Sequence, residues 1–201
     1  MKPSSLILLS IISLAFFYIQ LWDDRIVMSL YLSLLGMCIA YGAFKKDINI
    51  THIAGFIFIL TTISHAIFEM GLINNITPDE NKLLQIVLVF GTQILFTLIT
   101  ATVLIFRVQL SRLLSKSKNI ELTHFDGIFH WFFIYMAVIN FLALIEDVMY
   151  NYFEMKSWTL IYDNFEGLIY IAWALNCGTL VAMMITSKKS NHHDEKEEAI
   201  S

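Results

Sequence analysis

Within one long apolar run, His65 and Glu69 stand four residues apart, with Thr61 and Thr62 one turn earlier. A spacing of four puts side chains on one helix face. An ionisable pair inside an apolar helix marks a path for protons or ions by default. The plainer alternative is that Glu69, near the end of its run, reaches water. In a later run Asn140 and Asp147 are seven apart on one face, with Glu146 beside Asp147. Glu166 opens the last run, whose face continues through Tyr170, Trp173 and Cys177. Gln93, Thr97 and Thr100 form a further polar stripe, suited to interhelical hydrogen bonds or to lining a water-filled path. His65, Glu69, Gln93, Asn140, Asp147 and Glu166 are therefore the candidate ion or proton path, on the condition that their helices are neighbours.

Enzyme chemistry finds less support. His52, His124 and His130 gather near one membrane boundary, but His124 and His130 are six apart, which keeps them off a common helix face, and no stacked haem pairs recur. There is no His-Glu-x-x-His motif, nucleophile elbow or phosphate-binding glycine loop. His192 and His193 fall in a polar tail, where solvation is the expectation. Cys38 and Cys177 both lie in apolar runs, where a thiol packs as a small hydrophobe. The chain reads as non-enzymatic, with no metal and no cofactor expected.

The elements that must position these residues follow from composition. Hydrophobic residues make up 57% of the 201 and charged residues only 15%, and mean hydropathy is +0.67; soluble domains carry roughly a quarter charged. Lipid is the main solvent. Cutting the chain at its charges leaves apolar segments at 5–22, 26–44, 53–73, 83–106, 125–145 and 168–186. Each approaches the roughly 20 residues that cross about 30 Å of hydrocarbon as a helix. Continuous apolar runs without alternation argue against a barrel. The expected fold is all-α: a bundle of six transmembrane helices over 1–186, with 187–201 as a disordered polar tail. Residues 1–22 resemble a secretory signal at first, but the apolar run passes Phe16, Phe17 and Tyr18 without a small-residue cleavage pattern, so the segment is read as a retained span.

Orientation rests on lysine and arginine. Of the 13 basic residues, ten fall on one side of such a bundle, and Arg25, Lys82 and Lys156 on the other. The richer side is assigned to the cytoplasm, together with both termini. Ten carboxylates, among them Glu69, Glu146, Asp147 and Glu166, fall on the poorer side, which should attract cations.

Two contact surfaces complete the reading. Gly36 and Ala40, and Ala174, Gly178 and Ala182, follow the four-residue spacing that lets helix backbones approach closely, within one chain or in a homo-oligomer. From 107 to 121 the stretch RVQLSRLLSKSKNIE is amphipathic, with Leu110, Leu113 and Leu114 on one side. Arg107, Arg112, Lys116 and Lys118 there are candidates for contact with anionic lipid or a soluble cytosolic partner. Nucleic-acid binding is not expected. In size and lack of a soluble domain the chain resembles the small membrane subunits that bacteria encode beside a soluble effector, for example in phage-defence operons. This implies a multi-pass protein of the bacterial inner membrane that anchors or senses for a cytosolic partner. A small cation or proton channel or transporter is the alternative.

Overall fold

The computed structural model describes residues 24–73, 81–115, 117 and 120–198, with the side chains of 24, 25 and 188–198 left aside. The expected first span, 5–22, lies outside these residues, as do Lys116 and Lys118. The described chain is all helical: α1 (Asp24–Lys45), α2 (Ile48–Glu69), α3 (Lys82–Ile105), α4 (Arg107–Leu114), α5 (Asp126–Tyr152), α6 (Leu160–Asp163) and α7 (Phe165–Glu198). Five of these, α1, α2, α3, α5 and α7, are long and apolar enough to cross a membrane. Their outer surfaces expose Met37, Ile59, Leu95, Leu98, Val138 and Phe141. Exposed apolar side chains on every face of a bundle suit lipid rather than water. The protein is a multi-pass, membrane-embedded helical protein.

Local signals explain where the helices begin and end. α2 starts five residues before the expected Ile53, because the Asp47 carboxylate accepts from the N–H groups of Asn49 (3.1 Å) and Ile50 (3.2 Å) and so caps the helix. The turn before it is tight. The N–H of Asp47 donates to the Gly42 carbonyl at 2.8 Å and that of Lys46 to Ala43 at 3.2 Å, with Lys46 left-handed at φ 57. This is the hydrogen-bond pattern that ends many helices. A side chain at Gly42 would meet Thr51 Oγ1 at 2.5 Å and Thr51 N at 2.9 Å, so only glycine lets α1 and α2 meet this closely. α5 runs past the expected end at 145 to Tyr152, carrying Glu146 and Asp147 as helical residues. α4 is shorter than the stretch 107–121 suggested: the helix breaks at Phe106, resumes at Arg107 and stops when Ser115 turns extended. α7 continues in helical form to Glu198, through the segment expected to be a disordered tail.

The five long helices close into a ring. α1 packs on α2 and α7, α2 on α3, α3 on α5, and α5 on α7. Consecutive long helices run antiparallel and α1 lies parallel to α7, so the ring has an Arg107 end and a Glu166 end. The apolar core includes Ile53 and Ile57 of α2, Leu104 of α3, Phe129 and Phe133 of α5 and Leu180 of α7. In those four helices these residues belong to the half nearer Arg107. The other half of the ring is less densely filled.

Candidate functional site

A cavity of about 340 Å³ occupies that other half. α2 contributes Thr61, Ser64 and His65; α3 contributes Gln93, Thr97 and Thr100; α5 contributes Asn140; α7 contributes Glu166 and Tyr170. Between them stand Phe68, Phe96, Phe133, Trp173 and, from α1, Met28. Trp173 is held flat against the buried Tyr31 of α1, ring centroids 4.8 Å apart and planes within 6°, and Tyr170 packs on it at 5.3 Å. The aromatic wall is therefore fixed by stacking across two helices.

The polar groups in the cavity differ in how far they are satisfied. Thr97 donates to the carbonyls of Gln93 and Ile94, both at 2.9 Å, and Thr100 to that of Phe96 at 2.7 Å. These hydroxyls are thus held by their own helix. Asn140, 3% exposed, donates through Nδ2 to the Met136 carbonyl at 2.8 Å. Because a carbonyl only accepts, that bond fixes which end of the amide is which. Asn140 Oδ1 is left buried with no partner among the described residues, and Gln93 Oε1 is buried and unpartnered in the same way. A buried amide oxygen without a partner costs about 1–3 kcal/mol, and here two belong to side chains that line one cavity.

Four of the six candidate path residues, His65, Gln93, Asn140 and Glu166, meet at this cavity. The other two do not line it. Glu69 sits 3.6 Å from His65 but its side chain is 70% exposed. Asp147 accepts from Asn151 Nδ2 at 2.6 Å, one turn along its own helix. The carboxylate ring expected from Glu69, Asp147 and Glu166 is reduced to Glu166 at the cavity. Glu146, beside Asp147, anchors α6 by accepting from the N–H groups of Ile161 (2.8 Å) and Tyr162 (2.9 Å).

At the opposite end of the ring Arg107 is wholly buried. Its Nε donates to Asp126 Oδ1 at 2.8 Å and Nη2 to Asp126 Oδ2; Nη1 donates to Asn49 Oδ1 at 2.7 Å, and Nη2 also to the Glu121 carbonyl at 2.8 Å. The Thr123 hydroxyl adds a bond to Asp126 Oδ2 at 2.9 Å. The fork of the guanidinium is thus matched to the carboxylate, and α2, α4 and α5 are tied together. Arg107 is accordingly not a lipid or partner contact; it is an internal clamp. Close by, Ser187 of α7 donates to Asp47 Oδ2 at 2.6 Å, which brings α7 to the same end. Arg112 is exposed, as are Leu113 and Leu114.

The small-residue stripes divide as well. Ala174, Gly178 and Ala182 are buried in the packing of α7. On α1 Ala40 is exposed, and a side chain at Gly36 would meet nothing within 4 Å. Two features escaped the reading of the sequence. Asp126 follows Thr123 by three residues, the spacing of a capping box, and that pattern was a usable signal for the Arg107 clamp. Asn176, wholly buried three residues past Trp173, has both amide atoms unpartnered among the described residues. An asparagine in the middle of an apolar run was the available sign. No group of three or more possible metal ligands occurs among the described residues.

Fold and site together define a multi-pass helical membrane protein with a partly polar, open cavity between its spans. Comparison with family models, with curated proteins and with solved structures found no match to this chain.

Proposed function

We propose that the protein is a non-enzymatic membrane protein that takes up a small cation or proton in its cavity, through His65, Gln93, Asn140 and Glu166. The observation that carries this reading is that two side chains lining one cavity from different helices, Gln93 and Asn140, each hold a buried amide oxygen without a partner among the described residues. Acceptors held without donors in a low-dielectric setting attract positive charge or N–H and O–H groups. Glu166 at the cavity adds a negative charge. The basic residues favour a cytoplasmic Arg107 end, so the cavity belongs to the outer half of the membrane. With 5–22 as a sixth span, both termini are cytoplasmic, and the bacterial inner membrane is the proposed location. The free stripe at Gly36 and Ala40 suits contact with a second copy in a homo-oligomer.

The test is flux into proteoliposomes, read with an internal pH dye and a potassium-selective dye. Wild-type protein should carry protons or potassium, and Gln93→Leu should reduce the rate by roughly tenfold or more, the equivalent of about 1.4 kcal/mol. Flux equal to that of empty vesicles would count against the proposal.

A second reading, a subunit that anchors or senses for a soluble cytosolic partner within a defence system, draws support from α4. There Leu113 is 84% and Leu114 68% exposed, next to the exposed Arg112. Exposed leucines beside a cation suit a docking helix. Charge reversal at Arg112 together with Leu113→Ser should release such a partner without disturbing membrane insertion, as read by fractionation of native membranes.

A further inference from the structure

We infer that the occupant of the cavity is an organic primary ammonium ion with an apolar or aromatic body, rather than a bare metal cation; this rests on the cation reading above. Gln93 and Asn140, each with a buried amide oxygen that has no partner among the described residues, line the cavity together with the exposed Glu166. A primary ammonium has three N–H donors and no acceptor. A bare cation such as calcium is held in a cage of about six to eight oxygens, whereas most of the residues lining this cavity are apolar or aromatic. The hydroxyls of Thr97 and Thr100 have already given their protons to their own helix, so they add lone pairs and compete for no acceptor.

The rest of the wall explains the body of the ligand. Phe96, Phe133, Tyr170 and Trp173 line the cavity, and aromatic faces attract an ammonium while their area buries hydrocarbon. A hydrated metal ion gains nothing from such a wall. The volume of about 340 Å³ sits at the small end of the roughly 300–1,000 Å³ typical of small-molecule sites, which fits one amine with a single ring. Stacking of Trp173 on Tyr31 holds the wall in place before any ligand arrives, so little ordering cost remains for binding.

The experiment uses the full chain in phosphatidylcholine nanodiscs and isothermal titration with 2-phenylethylammonium, with neutral 2-phenylethanol and with potassium chloride. The amine should bind roughly tenfold or more tighter than the alcohol, which shares its body but lacks the charge and two of the donors. Asn140→Leu should remove most of that preference, and Glu166→Gln, at an exposed residue whose change leaves folding intact, should weaken the amine by roughly threefold or more without moving the alcohol. Equal affinity for amine and alcohol, or amine affinity unchanged in both variants, would overturn the inference. Proton and potassium flux measured on the same preparations separates the two levels. Flux that Asn140→Leu abolishes, in a protein that binds no amine, overturns the ammonium and leaves the cation reading standing; neither flux nor amine binding overturns both.

Discussion

Two buried polar clusters lie toward opposite ends of the same ring of helices and are built in opposite ways. At one, Arg107 and Asp126 meet in fork geometry, with Asn49, Glu121 and Thr123 taking up remaining donors and lone pairs. At the other, Gln93 and Asn140 each keep a buried oxygen without a partner. Charge is the more expensive group to bury, yet here the charged cluster is the satisfied one and the neutral amides are the open ones. On the proposed reading, the satisfied cluster is structural and the open amides that line the cavity are functional. A saturated pair holds helices together, whereas an unsaturated amide at a cavity is available to a ligand.

The comparison breaks most visibly if one member of the clamp is removed. Asp126→Leu should cost about 3–5 kcal/mol, because it leaves a buried guanidinium unpaired. The double variant Arg107→Met with Asp126→Leu should recover most of that loss, since no lone buried charge remains. Thermal unfolding in detergent checks both, and a single variant as stable as wild type would remove the clamp from the account. Asn176→Leu should move stability the other way, by about 1–2 kcal/mol upward, because it deletes two unpaired buried groups at nearly constant shape. The same melting curves, compared with amine binding, show whether Asn176 is a structural defect or a deeper part of the site; the expected result is higher stability with binding unchanged. Lys46→Gly should stabilise by about 1 kcal/mol, as glycine takes the left-handed conformation at φ 57 without the steric penalty of a lysine. The smallest effect is expected at Glu69→Gln. Its carboxylate is mostly exposed and lies outside the cavity, so flux should change by less than about threefold, the scale of an exposed ion pair.

How far the sequence carried the fold depended on which force decided each element. Membrane helices announce themselves by composition, and α3 begins and ends one residue before the segment cut from hydropathy alone. Boundaries set by hydrogen bonds were less legible. The Asp47 cap moved the start of α2 into the polar stretch Asn49, Thr51, His52, and the break at Phe106 divided what had looked like one continuous helix. For the site, spacing on a helix singled out His65, Gln93 and Asn140, which line the cavity. Which faces look at one another is a property of the ring and has no local signal. That is why Asp147 and Glu69, at depths similar to Glu166, were grouped with the cavity although neither lines it. Arg107 misled for the same reason: an arginine at a helix end suits a membrane surface, and only the approach of Asp126 and Asn49 turns it inward.

The most direct test of the contrast is flux per folded molecule, measured side by side for Asn140→Leu and for the Arg107→Met, Asp126→Leu double variant in matched proteoliposomes. The account predicts that Asn140→Leu folds at least as well as wild type yet loses roughly tenfold or more of the flux, while the double variant conducts normally once its folded fraction is counted. Normal flux through Asn140→Leu, with flux lost in the double variant, would contradict it and move the working site to the Arg107 end.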